Sequence, residues 1–444
     1  MTINYKNIGL FFLVACLILG TGFVQSWNTA LFILNMGLVS AIMALGVNLQ
    51  WGFAGLFNVG IMGFVALGGL AAVLISMPPT TEAWAAGGLR VILGIVLGAA
   101  TVTAAILVQL RMAAGRARTL TTIAILIGGF FLYRAVFDGG VAAVEAVDAA
   151  GTGYLGGLNF GGASYKDWGF MTLISWPVGG LLAAGVAWLI GKTALGLRSD
   201  YLAIATLGIS EIIIAVMKNE DWLSRGVKNV IGLPRPVPYE IELQESAGFI
   251  ERTTALGLDP VTSSSIVVKL GYAGLFSIVL VIVLILAQLA LASPWGRMMR
   301  AIRDNEEAAE AMGKNVTARH LQIFILGSAI CGVAGAMMTT LDSQLTPSSY
   351  QPLRFTFLVW VMVIVGGSGN NFGSVLGGFL IFFLWVQVEP MGAILMQILT
   401  SGMAEDNVLR LHLLDSVAHM RLLTMGLILI LVLRFAPKGL IPEK

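Results

Sequence analysis

The sequence predicts an all-α, polytopic membrane protein with about 10–12 transmembrane helices, forming one domain over residues 1–444. Three observations carry this reading. Hydrophobic residues make up 57% of the 444 and charged residues only 11%, whereas soluble domains carry about 25% charged residues. Apolar runs recur along the chain, and about 20 such residues cross roughly 30 Å of hydrocarbon as a helix. None of these runs alternates with the period of two that a membrane-spanning strand requires.

In order, the runs place helices near 8–24, 30–49, 57–77, 89–110, 119–137, 171–191, 201–217, 271–291, 321–341, 355–366, 374–388 and 421–435. Residues 355–388 read either as two short spans or as one re-entrant element, because a Gly-rich link joins them. "LVAC" at 13–16 resembles a lipoprotein cleavage box, but apolar sequence continues past Cys16, so the first run reads as a helix. The two cysteines, Cys16 and Cys331, both lie inside apolar runs and give neither a disulfide framework nor a metal spacing.

Short loops rich in Lys and Arg mark the cytoplasmic side. Lys6, "RMAAGRAR" (111–118), Lys192 with Arg198, the segment 293–316 and the tail "RFAPKGLIPEK" all fall on one side of this arrangement. Both termini are therefore expected inside. The loops 138–170, 218–270 and 389–420 are expected outside.

Two Gly-rich stretches interrupt the apolar runs, "WGFAGLFNVGIMGFVALGG" (51–69) and "GGSGNNFGSVLGG" (366–378). Glycine allows close helix packing in lipid. It also allows a helix to break where the backbone lines a path or lies buried in protein. Asn58, Asn370 and Asn371 fall in these stretches and are candidates for a translocation path. Glu211, in "LAIATLGISEIIIAV", is the ionisable residue deepest in a span and joins them, since charge at that depth faces a bundle interior or a cavity. Arg134 and Asp138 are four apart near a helix end and read as an intrahelical pair.

Two motifs fail on spacing or context. "GVAWLIGKT" (185–193) has five residues between its glycines, where a phosphate loop has four. "GTGYLG" (151–156) matches G-x-G-x-x-G but has no strand before it and no helix after it. No catalytic set and no metal set emerges from the sequence, and nothing in it points to an enzyme or to nucleic-acid binding. The chain reads as a transport protein, either powered by a partner or coupled to an ion gradient.

The charged segment "SPWGRMMRAIRDNEEAAEAMGKNV" (293–316) lies between two membrane-grade runs. Arg297, Arg300 and Arg303 suit an anionic membrane surface. After them, Asp304 is expected to cap a short helix over 305–312, with Glu307 reaching back to the cap. Glu306 and Glu307 suit the helix dipole, Ala308 and Ala309 favour helix, and Gly313 before Lys314 is the expected left-handed stop.

"EAAEAMG" (307–313) resembles the E-A-A-x-x-x-G signature of ABC importer permeases. "QIFILGSA" (322–329) stands where the longer signature has a leucine and a proline, which fits the branched-chain amino acid permease family of LivM/LivH type. Four further stretches resemble that family: "GVNLQWGFAGLFNVG", "GLRSDYLAIATLGISEII", "VGGSGNNFGSVLGG" and "RFAPKGL". The long 218–270 loop favours the LivM branch. The resemblance implies an ABC importer permease fold in a bacterial inner membrane, with a cytoplasmic coupling helix. It makes Arg303, Asp304, Glu306, Glu307, Ala308, Ala309, Gly313 and Lys314 the ATPase-coupling candidates. The implied partners are a second, LivH-like permease, two ATP-binding subunits and a periplasmic substrate-binding protein. ATP and Mg²⁺ would then sit on the partner ATPase, with no cofactor on this chain. Leu56, Asn58 and Ile61 stand where the family commonly has Gln, Ser and His, and Ala436 precedes the terminal proline. Permeases for urea and short amides share this scaffold.

Overall fold

Each apolar run becomes a helix in the computed structural model, which describes residues 5–160, 165–404 and 407–443. Parts of the expected loops 138–170 and 389–420 (residues 161–164 and 405–406), residues 1–4 and Lys444 lie outside the described residues. The helices are α1 Tyr5–Val24, α2 Trp27–Ala54, α3 Ile61–Ser76, α4 Thr81–Arg111, α5 Arg116–Glu145, α6 Tyr165–Ala194 and α7 Ser199–Asn219. There follow α8 Pro260–Ala292, α9 Pro294–Asp304, α10 Glu306–Ala311, α11 Val316–Asp342, α12 Pro352–Gly366, α13 Asn371–Leu399 and α14 Met420–Phe435. Residues 355–388 are thus two segments, α12 and the first part of α13, packed as a hairpin.

Several helices run past the apolar part that marks them in the sequence. Asp259 caps α8 by accepting from the Thr262 N–H (2.8 Å), and Pro260 occupies the first helical turn. Helix α8 therefore starts about three turns before its hydropathy does. Likewise α13 continues through Pro390 to Leu399, and 408–415 form a further short helix in the expected 389–420 loop. The 218–270 segment also holds short helices at 240–245 and 247–255. Hydropathy detects the lipid-facing length of a helix, not its capped ends.

The helices alternate in direction, and their connections gather at two ends. The basic end holds 52–57, 195–199, 302–306 and 438–443. At the opposite end, Pro79 bridges to Gly156, Leu155 N–H donates to the Trp222 carbonyl (3.0 Å), and strand β1 (Val230–Ile231) pairs antiparallel with β2 (Gln344–Leu345). The basic connections thus share a side, as their charge predicts.

The core is built by α2, α3, α6, α11, α12 and α13, and α2 is buried over nearly its whole length. Small residues set the crossing of α3 with α11: a Cβ on Gly68 would collide with the Gly332 carbonyl, and one on Gly335 with the Val65 carbonyl. In lipid such close backbone approach is what drives helices together. Helices α4 and α5 form a peripheral hairpin with its own small cluster (Val91, Phe137, Val144, Leu155). The pair Arg134–Asp138 lies there, in salt-bridge contact at 2.7 Å as its spacing predicts.

Gly68→Val is expected to destabilise the bundle by about 1–3 kcal/mol or more through overpacking, read as a lower melting temperature in detergent. Gly9→Ala, where an added Cβ meets nothing within 4 Å, should leave it unchanged. Equal melting of the two variants would contradict the close α3–α11 crossing.

Candidate functional site at the basic end

Two interruptions of helical backbone lie side by side at the basic end. Helix α2 stops at Gly55 (φ +70°), and residues 55–60 run non-helically to α3. The second break separates α12 from α13, with Gly367 at φ +122° and Gly369 at φ +81°. Buried non-helical backbone must find its hydrogen bonds within the protein. Asn48 serves the second break: its Oδ1 accepts from Gly369 N–H (2.9 Å) and its Nδ2 donates to Asn371 Oδ1 (3.0 Å). Gln50 serves the first: its Nε2 donates to the Phe324 carbonyl (2.9 Å) and to Ser328 Oγ (3.1 Å), while Oε1 accepts from Asn58 Nδ2 (2.9 Å). Asn58 in turn accepts from Gly60 N–H at Oδ1 (2.9 Å) and from Trp360 Nε1 at its carbonyl (3.2 Å). Thr206 Oγ1 takes the Val59 N–H (3.1 Å). Trp51, Phe57 and Trp360 close over the two breaks with ring centroids 4.7–5.6 Å apart.

The four path candidates therefore occupy different settings. Asn58 is 1% exposed, and its amide holds the break in place. Asn371 is buried at the same junction, and its Nδ2 has no partner among the described residues. Asn370 caps α13, accepting from Phe372 and Gly373 N–H, and donates to the Pro442 carbonyl (3.0 Å). Glu211 stands apart: it lies on the exposed face of α7, because the opposite face, with Thr206 and Ser210, packs on α3 and the residue before it.

The segment after α8 is a helix pair. Helix α9 buries Gly296, Met299 and Ile302 on one side. Arg297 and Arg300 donate to the Ala292 and Leu291 carbonyls (3.2 and 3.3 Å), so these two cations neutralise the C-terminal end of α8. The expected cap is displaced by one residue. Asp304 ends α9 and accepts from Arg303 (3.1 Å), while Asn305, in extended geometry, caps α10 by accepting from Ala308 N–H (2.9 Å). Ala308, not Glu307, then stands three residues after the cap, so the expected reciprocal cap is not built. Asn is as good a cap as Asp, and the Arg303–Asp304 pairing leaves Asn305 to do it. Glu306 and Glu307 occupy the first turn as expected. Gly313 takes φ +76°, its N–H donating to the Glu310 carbonyl (2.8 Å), and Lys314 N–H donates to the Ala309 carbonyl (3.2 Å), the expected stop. Helix α10 is exposed on nearly all sides; Met312, just after it, is 79% exposed.

A cavity of 160 Å³ separates the start of α10 from the first break, lined among others by Gly55, Phe57, Ser199, Arg303, Glu306 and His320. His320 is buried, and its Nε2 has no partner among the described residues. At the opposite end, the positive-φ residues Arg225, Asn229 and Ser343 lie in or beside the β1–β2 cap. Arg225 pairs with Asp148 (2.7 Å). Burial raises the Tyr154 phenol above its ordinary pKa, against the pull of Arg225. Among the described residues no group of His, Cys, Asp and Glu is placed to hold a metal ion.

The sequence reading missed Asn48, Gln50, Trp360 and the partners of Arg303. The first two had a signal, two amides inside the otherwise apolar "LGVNLQWGF".

The family model described as "Branched-chain amino acid transport system / permease component" matches residues 149–433. The high-affinity branched-chain amino acid transport system permease protein LivM of Escherichia coli is 30% identical over 222 residues, 49% of this chain and 50% of that protein. The protein of the same name from Salmonella typhimurium matches to the same extent. The fructose import permease protein FrcC of Rhizobium meliloti is 28% identical over 102 residues, 22% of this chain and 28% of its own. The chain thus spans about half the length of the LivM proteins it matches. No solved structure matches.

Gln50→Leu is expected to leave Asn58 Nδ2 and Ser328 without their partner and to cost about 1–3 kcal/mol, read by thermal unfolding in detergent. An unshifted melting temperature would show that Gln50 does not hold the break.

Proposed function

The chain belongs to the family of branched-chain amino acid transport system permease components, and on that premise we propose that it is a membrane-spanning subunit of an ATP-driven importer of branched-chain amino acids. The observation that carries this reading is the exposed, doubly capped helix α10 in "EAAEAMG", held against the two helix breaks by Arg303. A loop needs no such helix; a docking element does. Its partner would be one of two ATP-binding subunits, which hold ATP and Mg²⁺. A second, LivH-like permease and a periplasmic substrate-binding protein complete the complex. The basic end, with both termini, is then cytoplasmic, in accord with the charge rule. The β1–β2 cap and the 220–245 segment would receive the binding protein outside. ATP-driven closure of the partner pair displaces α10, and the motion reaches the breaks that adjoin it.

Glu211 belongs to the same reading. It stands about 18 Å along α7 at 1.5 Å per residue, on an exposed face. A carboxylate there is costly against lipid, so that face is turned to the second permease and to water between the two. Zwitterionic amino acids require a few polar groups in an otherwise apolar path, and Glu211 supplies one.

Gly313→Val forces a β-branched residue into a left-handed position. It is expected to insert normally, to pull down less ATP-binding subunit and to lose uptake; full uptake would remove α10 from the coupling role. Glu211→Leu is expected to keep assembly and to lower uptake at least about ten-fold, a loss of roughly 1.4 kcal/mol. Unchanged transport by that variant would place the α7 face away from the path. Uptake by the wild type that persists without ATP and follows an ion gradient would favour an ion-coupled carrier instead.

A further inference from the structure

Residues 436–443 return from α14 to the second helix break and end at the coupling segment. Gly439 (φ +77°) turns the chain against Gly367. Leu440 and Ile441 N–H then donate to the Val365 and Gly366 carbonyls, both at 2.9 Å. Carbonyls in the last turn of a helix lack intrahelical partners, and here the tail supplies them. Ile441 is 2% exposed, and Pro442 accepts from the Asn370 amide (3.0 Å). Glu443 then accepts from Arg303 Nη1 (2.9 Å). The same Nη1 donates to the Gly52 carbonyl near the end of α2, and Nη2 and Nε bind Asp304 (both 3.1 Å).

One guanidinium thus joins three parts of the chain, α9, the end of α2 and the tail, and through the tail it reaches the edge of the second break. Only Asn305 separates α9 from α10. A displacement of α10 is therefore passed directly to α9 and Arg303. An ion pair this exposed, 24% for Arg303 and 31% for Glu443, adds little to stability. Its placement accounts for it better than its energy does.

We propose that residues 436–443 form a clasp that carries motion of the coupling segment to the α12–α13 break, with Glu443 a positioning residue that holds Arg303 in register. The clasp rests on the importer reading above, since it gives α10 a partner that moves it.

The test uses the full complex in proteoliposomes, with Glu443→Ala and Glu443→Asp compared to the wild type. Three quantities are read: complex recovered, ATP hydrolysed and substrate taken up. Glu443→Ala is expected to assemble as the wild type does and to keep hydrolysing ATP. Its ATP used per substrate should rise roughly five-fold, the scale of variants in coupling networks. Glu443→Asp should restore most of the coupling. The clasp is overturned if Glu443→Ala transports with wild-type economy, if its uptake falls only in proportion to the complex recovered, or if Glu443→Asp rescues nothing. Failure of the wild-type chain to recover any ATP-binding subunit overturns the importer reading itself; recovery with an unaffected Glu443→Ala overturns the clasp alone.

Discussion

The side-chain hydrogen bonds of Asn48, made to the backbone of one helix break, and of Gln50, made to Asn58 in the other, are what the basic end depends on. Both amides project from the last two turns of α2, which is buried on all sides, and each serves a different neighbour: Asn48 the α12–α13 break, Gln50 the α2–α3 break and α11. A buried amide left unpaired is costly, and Asn48, Gln50 and Asn58 are all buried. The breaks can therefore exist only where α2 stands, and α2 fixes their separation. Trp360 then ties α12 to the first break through its bond to the Asn58 carbonyl. The result is a junction in which two helix ends and two helix starts meet around side chains of α2.

Much of the fold was legible in the sequence because membrane helices write their length in apolar runs. All twelve runs became helices, and the basic connections converged. The short helix in the charged segment was legible too, since Gly313 and the alanines speak locally. Its cap was misread by one residue: Asp304 and Asn305 are equivalent as caps, and the choice is made by Arg303, whose partners lie 140 residues away at Glu443 and 251 residues away at Gly52. The face that Glu211 occupies was illegible for a related reason. Its depth in the span is a local property, but the face it occupies is decided by Thr206 and Ser210 meeting the glycines of α3. Asn58 and Gln50 look alike in the sequence, two amides near a Gly-rich stretch, and only the contacts reveal that they bond to each other.

The family match and the architecture overlap unevenly. Residues 149–433 are matched, yet α2 and α3, with Asn48 and Gln50 on α2 and Asn58 between the two, precede that span and pack against α11 and α13 within it. The buried centre therefore draws on both parts of the chain. The α4–α5 hairpin does not. It also precedes the matched residues, and the contacts joining it to the bundle gather near Phe137, Val144, Leu155 and Trp222, at the end opposite the basic one.

That mode of attachment has a mechanical consequence. Helices α4 and α5 are clamped at one end and touch chiefly each other along the rest, like a beam fixed in a wall. Their tip, 112–115, is exposed. A bulky fusion or label at that tip would load only the beam. It would leave the junction at the basic end unstressed, even though tip and junction share one side of the membrane.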